Sequence, residues 1–274
     1  MTTPHAASGA RPADSTDEQS AAQSVRSMFN SIAPRYDLLN HVLSASIDRL
    51  WWWRAARTFR STLARPDAIV VDLCCGTGDM TLALLRRRPN SANAAPILAI
   101  DFAHEMLRRG AQKFHHRRAI AIEADALHLP LPDASVDLIT TAFGFRNLAN
   151  YDAGLREFAR VLRPGGQLGI LDFSEPDGLF GRLYQFYFRR ILPAIGRALN
   201  GQSSPYEYLP ESVHRFPAPA QLLRQMESAG FADAHWTPYS FGIAGLFSAT
   251  RSAAPATAAA PPANSGQFPP ETIA

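Results

Sequence analysis

Ile69-Val70-Val71-Asp72-Leu73-Cys74-Cys75-Gly76-Thr77-Gly78-Asp79 opens the part of the chain that decides its fold. Ile69 to Leu73 is an apolar run rich in branched residues, the pattern of a buried strand. Gly76 and Gly78 then permit a tight turn and let backbone N–H groups approach a ligand with no Cβ in the way. From Asp79 the spacing becomes helical, with Met80, Leu82, Leu84 and Leu85 before Arg86-Arg87-Arg88-Pro89. Strand, glycine turn and helix form the first unit of a doubly wound sheet, whose ligand sits above the strand's carboxyl end.

The same alternation continues outward. Ile97–Phe102 reads as a second strand and Ala103–Phe114 as a basic helix. Ala119–Ala124 is a third strand, with Asp125-Ala126 at its end. Val136–Phe143 is a fourth, followed by Phe143-Gly144-Phe145-Arg146-Asn147. Asp152–Leu162 is a helix, Arg163-Pro164-Gly165-Gly166 a sharp stop, and Gln167–Phe173 a fifth strand. Five such steps predict an α/β fold with a parallel sheet covered on both faces. Two last strands, Phe231–Tyr239 and Gly242–Arg251, form a closing antiparallel hairpin, giving a mostly parallel seven-stranded sheet. Between them and the fifth strand lie an aromatic, arginine-studded stretch at 179–199 and short helices over Glu207–Arg224.

Val25 to Arg60 is helical in pattern, with Val25, Met28, Phe29 and Ile32 on one face and a break at Pro34. The consecutive Trp51, Trp52 and Trp53 cannot all face the core from one helix, so at least one is exposed or covers a cleft. Residues 1–23 and the Ala/Pro-rich 253–274 hold almost nothing to bury and are expected to be disordered tails. The domain is then 24–252, with 24–64 as an N-terminal helical lid and 175–215 as an insertion facing substrate and membrane.

In 274 residues, 46% are apolar and 19% charged, an ordinary globular balance. The net charge of +3 and a pI near 9.1 suit anionic lipid or an acidic substrate. They fall short of the basic patch a nucleic-acid enzyme wants, so no nucleic-acid partner is expected. No apolar run approaches the ~20 residues that span a bilayer, and the first 24 residues lack a signal-peptide core. The adjacent Cys74 and Cys75 are no disulfide framework; they suit a reducing cytoplasm and a tightly packed strand end. No metal is called for.

Three ligands compete for the glycine turn. A phosphate-binding loop needs a lysine after its last glycine, and none follows Gly78. A dinucleotide fold wants a third glycine where Thr81 stands, and Asp79 puts a carboxylate where a pyrophosphate would rest. A ligand without phosphate and with a positive end fits better, and S-adenosylmethionine is one. Asp101, 23 positions after Gly78, is placed to accept hydrogen bonds from both ribose hydroxyls of a nucleoside. An acceptor at Asp125 suits the exocyclic amine of adenine.

The series Val71–Asp79, Ile100-Asp101-Phe102, Asp125-Ala126 and Leu162–Gly166 resembles the motifs of class I S-adenosylmethionine-dependent methyltransferases. Four further stretches narrow the likeness: Met28–Asn40, Phe143–Asn147, Tyr206–Ser212 and Phe216-Pro217. They resemble the ubiquinone/menaquinone biosynthesis C-methyltransferases, over about residues 25–251. The resemblance implies cofactor contacts at Thr77, Asp101, Asp125 and Ala126, a loop shaped by Gly76 and Gly78, and Asp72 beneath the cofactor's methionine end. It implies a substrate side lined by Arg146 and Asn147, with Tyr36 reaching in from the lid. Arg146 is expected to steady a developing phenolate or order the water that takes its proton, because an arginine is a poor base.

The implied reaction is methylation of a ring carbon of a polyprenylated quinol. Demethylmenaquinol is favoured over the ubiquinone-pathway benzoquinol by Cys74-Cys75-Gly76-Thr77 and Asp101-Phe102-Ala103. Methylation in another small-molecule pathway, or a non-catalytic protein of the same fold, remains as an alternative. The chain departs from the family at Ala142, where many relatives carry serine, at Ser44-Ala45-Ser46, and at Phe241–Phe247, which lacks a histidine. A cytoplasmic protein in transient, peripheral contact with the inner membrane face is implied. The 179–199 stretch is expected to roof the isoprenoid tail, and a homodimer is compatible.

Overall fold

The computed structural model describes residues 9–12, 15–35, 46–91, 93–176, 181 and 205–253. Tyr36 lies outside the described residues, as does the 179–199 stretch except for Gly181.

Strand β1, Val70–Leu73, is buried along its whole length and so needs a strand on each side. It pairs in parallel with β2, Ile97–Asp101, through Val70 opposite Ile97, and with β4, Val136–Ala142, through Val70 opposite Leu138. Strand β3 is Ala119–Glu123, β5 is Leu162–Phe173, β6 is Phe231–Tyr239 and β7 is Ala244–Arg251. The seven form one sheet in the order β3-β2-β1-β4-β5-β7-β6. Strand β7 runs antiparallel to both β5 and β6, so it alone opposes the other six. This is the doubly wound sheet with a closing hairpin expected from the strand pattern. The chain winds one way from β1 to β3 and the other way from β4 to β5. The space above β1 and β4 is therefore the switch point where such sheets bind ligands.

Helices cover both faces. Helix α1 is Glu18–Ile32, α2 Asp48–Thr58, α3 Arg60–Leu63, α4 Asp79–Leu85, α5 His104–Lys113, α6 Tyr151–Val161, α7 Pro205–Arg215 and α8 Pro219–Ser228. Period-two alternation sorts the strand residues. Val70, Ile97, Leu138 and Leu171 pack with Trp51, Trp52, Phe59 and Leu84 of the α2–α4 side. Val71, Leu73, Ile139 and Ile170 pack with Leu155 and Phe158 of α6 and Leu222 and Met226 of α8. Trp51 and Trp52 are core residues, whereas Trp53 is 45% exposed. That is the division three consecutive helical tryptophans require.

Two boundaries differ from the sequence reading. Helix α1 starts at Glu18, well inside the stretch read as a tail. Asp17 accepts from the Ser20 N–H and Ser20 Oγ accepts from the Asp17 N–H, a capping box that low apolar content conceals. Ala21, fully buried, then extends the apolar face of Val25 by one turn. Strand β5 begins at Leu162 instead of Gln167. Leu162 pairs with Val136 while Gln167 pairs with Leu138, so Arg163–Gly166 bulges out between two ladder rungs. Among the described residues no helix is long and apolar enough to cross a membrane.

Phe59, 1% exposed, closes the end of α2 against this core. Phe59→Ala is expected to lower unfolding free energy by about 3–5 kcal/mol in a denaturant titration. A loss below about 1 kcal/mol would mean that the α2 side of the sheet is not a load-carrying part of the core.

Candidate functional site

The turn after β1 is held by three groups that the sequence places far apart. Cys75 N–H donates to Ile100 O at 3.1 Å, tying the turn to β2, and Gly78 N–H donates back to Cys75 O at 2.8 Å. Gly78 has φ +85°, and a Cβ there would lie 2.7 Å from the Phe114 ring, so only glycine fits. Asp79 at the start of α4 pairs with Lys113 of α5 at 3.1 Å. Its charge is thus compensated, and the sequence argument that it repels a diphosphate loses force. What disfavours an anion here is the pair of buried carboxylates below.

Asp72 is wholly buried under the turn. It points to the α4 side, like Val70, and there Thr81 Oγ1 donates to Oδ2 at 2.6 Å and Thr140 Oγ1 to Oδ1 at 3.1 Å. Thr81, read from sequence only as a missing glycine, is therefore the anchor of this carboxylate. Burial pushes the Asp72 carboxyl up to about 7, against the pull of the two threonines. Thr77 is also buried. Neither Asp72 nor Thr77 lines the cleft; both lie beneath its floor.

Asp101 closes β2 and lines the cleft. Its Oδ2 accepts from Gly76 N–H and its Oδ1 from Ala103 N–H, both at 2.8 Å. Each oxygen keeps a second lone pair for a ligand donor. Burial raises this carboxyl to about 6 in spite of the two backbone bonds. Asp125 follows β3, its Oδ1 accepting from Leu127 N–H at 2.9 Å, and it lines the cleft beside Ala126. Burial and the nearby Asp101 charge push both cysteine thiols well above their ordinary range, so neither supplies a thiolate.

The opposite wall is the turn after β4. Gly144 lies against Cys74, where a Cβ would approach the cysteine Cβ to 2.3 Å. Arg146 does not line the cleft. Its guanidinium is 6% exposed and pairs with the fully buried Asp172 at 2.7 Å. It also donates to Phe143 O and stacks 5.2 Å from the Phe173 ring, while Arg146 N–H donates to Asp172 Oδ2 at 3.1 Å. Tyr151 completes the clamp by donating to Arg146 O at 2.9 Å. This corrects the expectation that Arg146 meets a substrate phenolate: a neutralised ion pair inside the wall sets the shape of the loop. Asn147 does line the cleft. Its Oδ1 accepts from Tyr208 of α7 at 3.1 Å, which fixes the amide. Burial raises the Tyr208 hydroxyl to about 12, so it stays a donor at neutral pH.

Between these walls is a cleft of about 720 Å³, counted to its open mouth. Gly76, Asp101, Asp125, Ala126 and Asn147 come together on its lining, with Ile100, Phe102 and Met106 adding apolar surface. Ala22 and Phe29 of α1 form part of the wall, so the N-terminal helix covers the cleft. Two acceptors at fixed spacing, an apolar floor and no cluster of cations suit a nucleoside with no phosphate. Residues of S-adenosylmethionine size and chemistry can be held here: Asp101 for ribose hydroxyls, Asp125 for an adenine amine, and Gly76 where the backbone must come close.

Tyr208 and Phe29 were missed as site residues. Both sit in stretches whose likeness to a family was legible, but a tyrosine in an isolated helix carries no signal of what it touches.

A family model described as the ubiE/COQ5 methyltransferase family matches residues 16–251. A demethylmenaquinone methyltransferase of Deinococcus radiodurans is 46% identical over 235 residues, 84% of this chain and 94% of that protein. A ubiquinone/menaquinone biosynthesis C-methyltransferase of Geobacter sulfurreducens is 40% identical over 228 residues, 81% of this chain and 86% of that protein. Among solved structures, a SAM-dependent methyltransferase of Thermotoga maritima, described as a possible histamine N-methyltransferase, superimposes with a TM-score of 0.57. It is 17% identical and covers 83% of this chain and 100% of that one, a likeness of fold.

The two buried carboxylates give stability a pH slope. Both carboxyls are raised above their unfolded value, so the folded state keeps protons that the unfolded chain releases. Their contribution is fully present below about pH 4 and is lost as pH rises through about 6 for Asp101 and about 7 for Asp72. The difference in urea midpoint between Asp101→Asn and the parent is expected to shift in favour of the variant from pH 4.5 to 7. A pH-independent difference would contradict the buried, raised carboxyl.

Proposed function

We propose that this chain, which belongs to the ubiE/COQ5 methyltransferase family, methylates a ring carbon of demethylmenaquinol. It is an S-adenosylmethionine-dependent C-methyltransferase of quinone biosynthesis. The naphthoquinol is favoured over the ubiquinone-pathway benzoquinol by the 46% identity to a protein named for demethylmenaquinone. The single observation that carries the site reading is Asp101. It is a buried carboxylate at the end of β2, already holding Gly76 and with two lone pairs turned to the cleft.

S-adenosylmethionine supplies an electrophilic methyl group on a sulfonium. The chain's residues do the rest. Asp101 binds the ribose hydroxyls, Asp125 the adenine amine, and Ala126 with Phe102 and Met106 packs the ring faces. Gly76 leaves room over the loop, Gly78 turns the chain into α4, and Asp72 and Thr77 set the loop's height from below. A quinol carbon becomes nucleophilic as its neighbouring hydroxyl gives up a proton, and it must lie about 3–3.5 Å from the methyl. Asn147, held by Tyr208, offers its Nδ2 to that hydroxyl oxygen as charge grows there. Arg146 and Asp172 act through Asn147 by fixing the turn that carries it. Tyr36 is proposed to meet substrate from the lid. Water is kept out by α1 above and the aromatic wall behind. The isoprenoid tail of such a quinol calls for transient, peripheral contact with the inner membrane face from the cytoplasm. A homodimer is compatible with this role, and no nucleic-acid partner is proposed.

Quinone profiling of a deletion strain tests the reaction: accumulated demethylmenaquinone is expected, and an unchanged quinone pool would refute it. In the purified enzyme, Asp101→Ala is expected to weaken cofactor binding by about 10–100-fold, the worth of hydrogen bonds to a charged group. Asn147→Ala is expected to lower kcat by about 100-fold, with cofactor affinity nearly unchanged. Equal loss in both quantities would place Asn147 on the cofactor instead.

A further inference from the structure

One face of the molecule carries cations and large apolar side chains with no role in the fold. Along α2, Ile47, Leu50 and Trp53 recur at i, i+3 and i+6, exposed by 43%, 51% and 45%. Arg49, Arg54, Arg57 and Arg60 stand among them, all exposed. The only acidic residue from 46 to 66 is Asp48, which is 3% exposed. None of the four arginines pairs with a carboxylate among the described residues. This contrasts with Arg65, Arg160 and Arg163, each of which has one.

The arginines are arranged as well as exposed. Arg54 lies 4.3 Å above the Tyr239 ring, and Arg57 and Arg87 lie 5.4 and 5.2 Å from the Trp53 ring. Stacking holds a guanidinium flat and leaves its N–H edge outward. Arg54, Arg57 and Arg60 with Thr58 and Tyr239 line a shallow bowl beside Trp53. Cations edging an apolar stripe match an anionic bilayer surface, where apolar side chains enter the acyl boundary and guanidinium groups meet lipid phosphates. A second copy of this chain is a poorer occupant, since a two-fold contact through this patch would set arginine against arginine.

The patch also lies next to the reacting end of the site. Trp51, on the inner side of the same helix, donates to Ser240 Oγ at 2.9 Å. Its ring lies 5.9 Å from Phe143, a residue of the cleft, and 6.0 Å from Phe173, and those two rings are 4.6 Å apart. One aromatic layer thus separates the cleft from the exposed α2 stripe.

We propose that the α2 face, from Ile47 to Arg60 with Tyr239, docks the protein on membranes rich in anionic phospholipid. This sets the α2 helix, in place of the 179–199 stretch alone, as the contact. It deepens the reading of a lipid-tailed substrate and rests on that reading for its purpose, but the contact itself can be measured without catalysis.

The test is co-sedimentation of the full chain with vesicles of phosphatidylcholine alone or with phosphatidylglycerol. Binding is expected only to the anionic vesicles and should weaken as salt is raised. The variant Arg54→Glu/Arg57→Glu/Arg60→Glu is expected to lose about 100-fold or more in partition coefficient, at about fivefold for each cation removed. Leu50→Ser/Trp53→Ser should lose binding to the same vesicles while circular dichroism and cofactor affinity stay unchanged. Turnover of a short-tailed, water-soluble quinol should be unchanged in both variants, so failed methylation would count against the assigned reaction and not against docking. Equal vesicle binding by parent and variants overturns the proposal. So does an absence of binding by the parent, or arginine-dependent binding to an oligonucleotide in place of vesicles.

Discussion

A carboxylate with almost no access to water joins the two loops on which the rest of the site is built. Asp101 takes one N–H from the turn after β1 and another from the start of α5. An unmet buried carboxylate would cost several kcal/mol, so the sequence can hold Asp101 there only if both loops present their N–H groups to it. This requirement fixes Gly76 over the sheet and sets the height of the cleft floor. Asp72 repeats the arrangement one layer down, with Thr81 and Thr140 as its donors. The floor is therefore a stack of two partly protonated carboxyls. It accepts hydroxyl and amine donors and gives a phosphate nothing to bind.

The opposite wall uses a different device. There the polar group inside is an ion pair, Arg146 with Asp172, closed by Tyr151 and covered by Phe173. A pair this buried contributes little net stability compared with an apolar equivalent, yet removing either partner strands the other. Its effect is geometric. Arg146 binds Phe143 O and its own N–H binds Asp172, so the turn from Phe143 to Asn147 has one shape. Asn147 then faces the cleft with an amide that Tyr208 has already oriented. The residue that looked most chemical in the sequence acts on its neighbour, and the neutral residue beside it meets the ligand.

The sheet was legible because its signals are local. Branched apolar runs, glycine turns and Asp101 at a set distance each state their structure within a few residues. All five parallel strands and the hairpin fall where those runs stand. The start of α1 was hidden because a capping box in a polar stretch carries no apolar signal, and the start of β5 because a bulge absorbs the turn residues Arg163–Gly166. The cofactor side was legible for the same local reason. The substrate side was not, since it depends on contacts across long separations. Tyr208 and Asn147 are 61 positions apart, and Arg146 and Asp172 are 26 apart. Nothing in the side chain of Arg146 distinguishes a buried partner from a substrate.

The one wall of the cleft not built on the sheet is α1, and its bonding differs accordingly. Only Ala21 and Val25 of its side chains are buried. It is otherwise held by exposed polar contacts: Arg26 to Glu123, which also binds His104, Asn30 to the Glu105 N–H, and Glu18 to Asn150. Ahead of it, Ala10 N–H and Arg11 strap the chain to Leu148 O and Ala149 O on the cleft's far rim. Exposed ion pairs are worth roughly 0–1 kcal/mol each, far less than the apolar core that holds β1 and β4. Opening the cleft by lifting α1 breaks few buried contacts, while opening it through either loop would expose Asp101 or the Arg146–Asp172 pair. The segment that covers the cofactor is thus the segment that costs least to move, as a cleft that must exchange its ligand on every turnover requires.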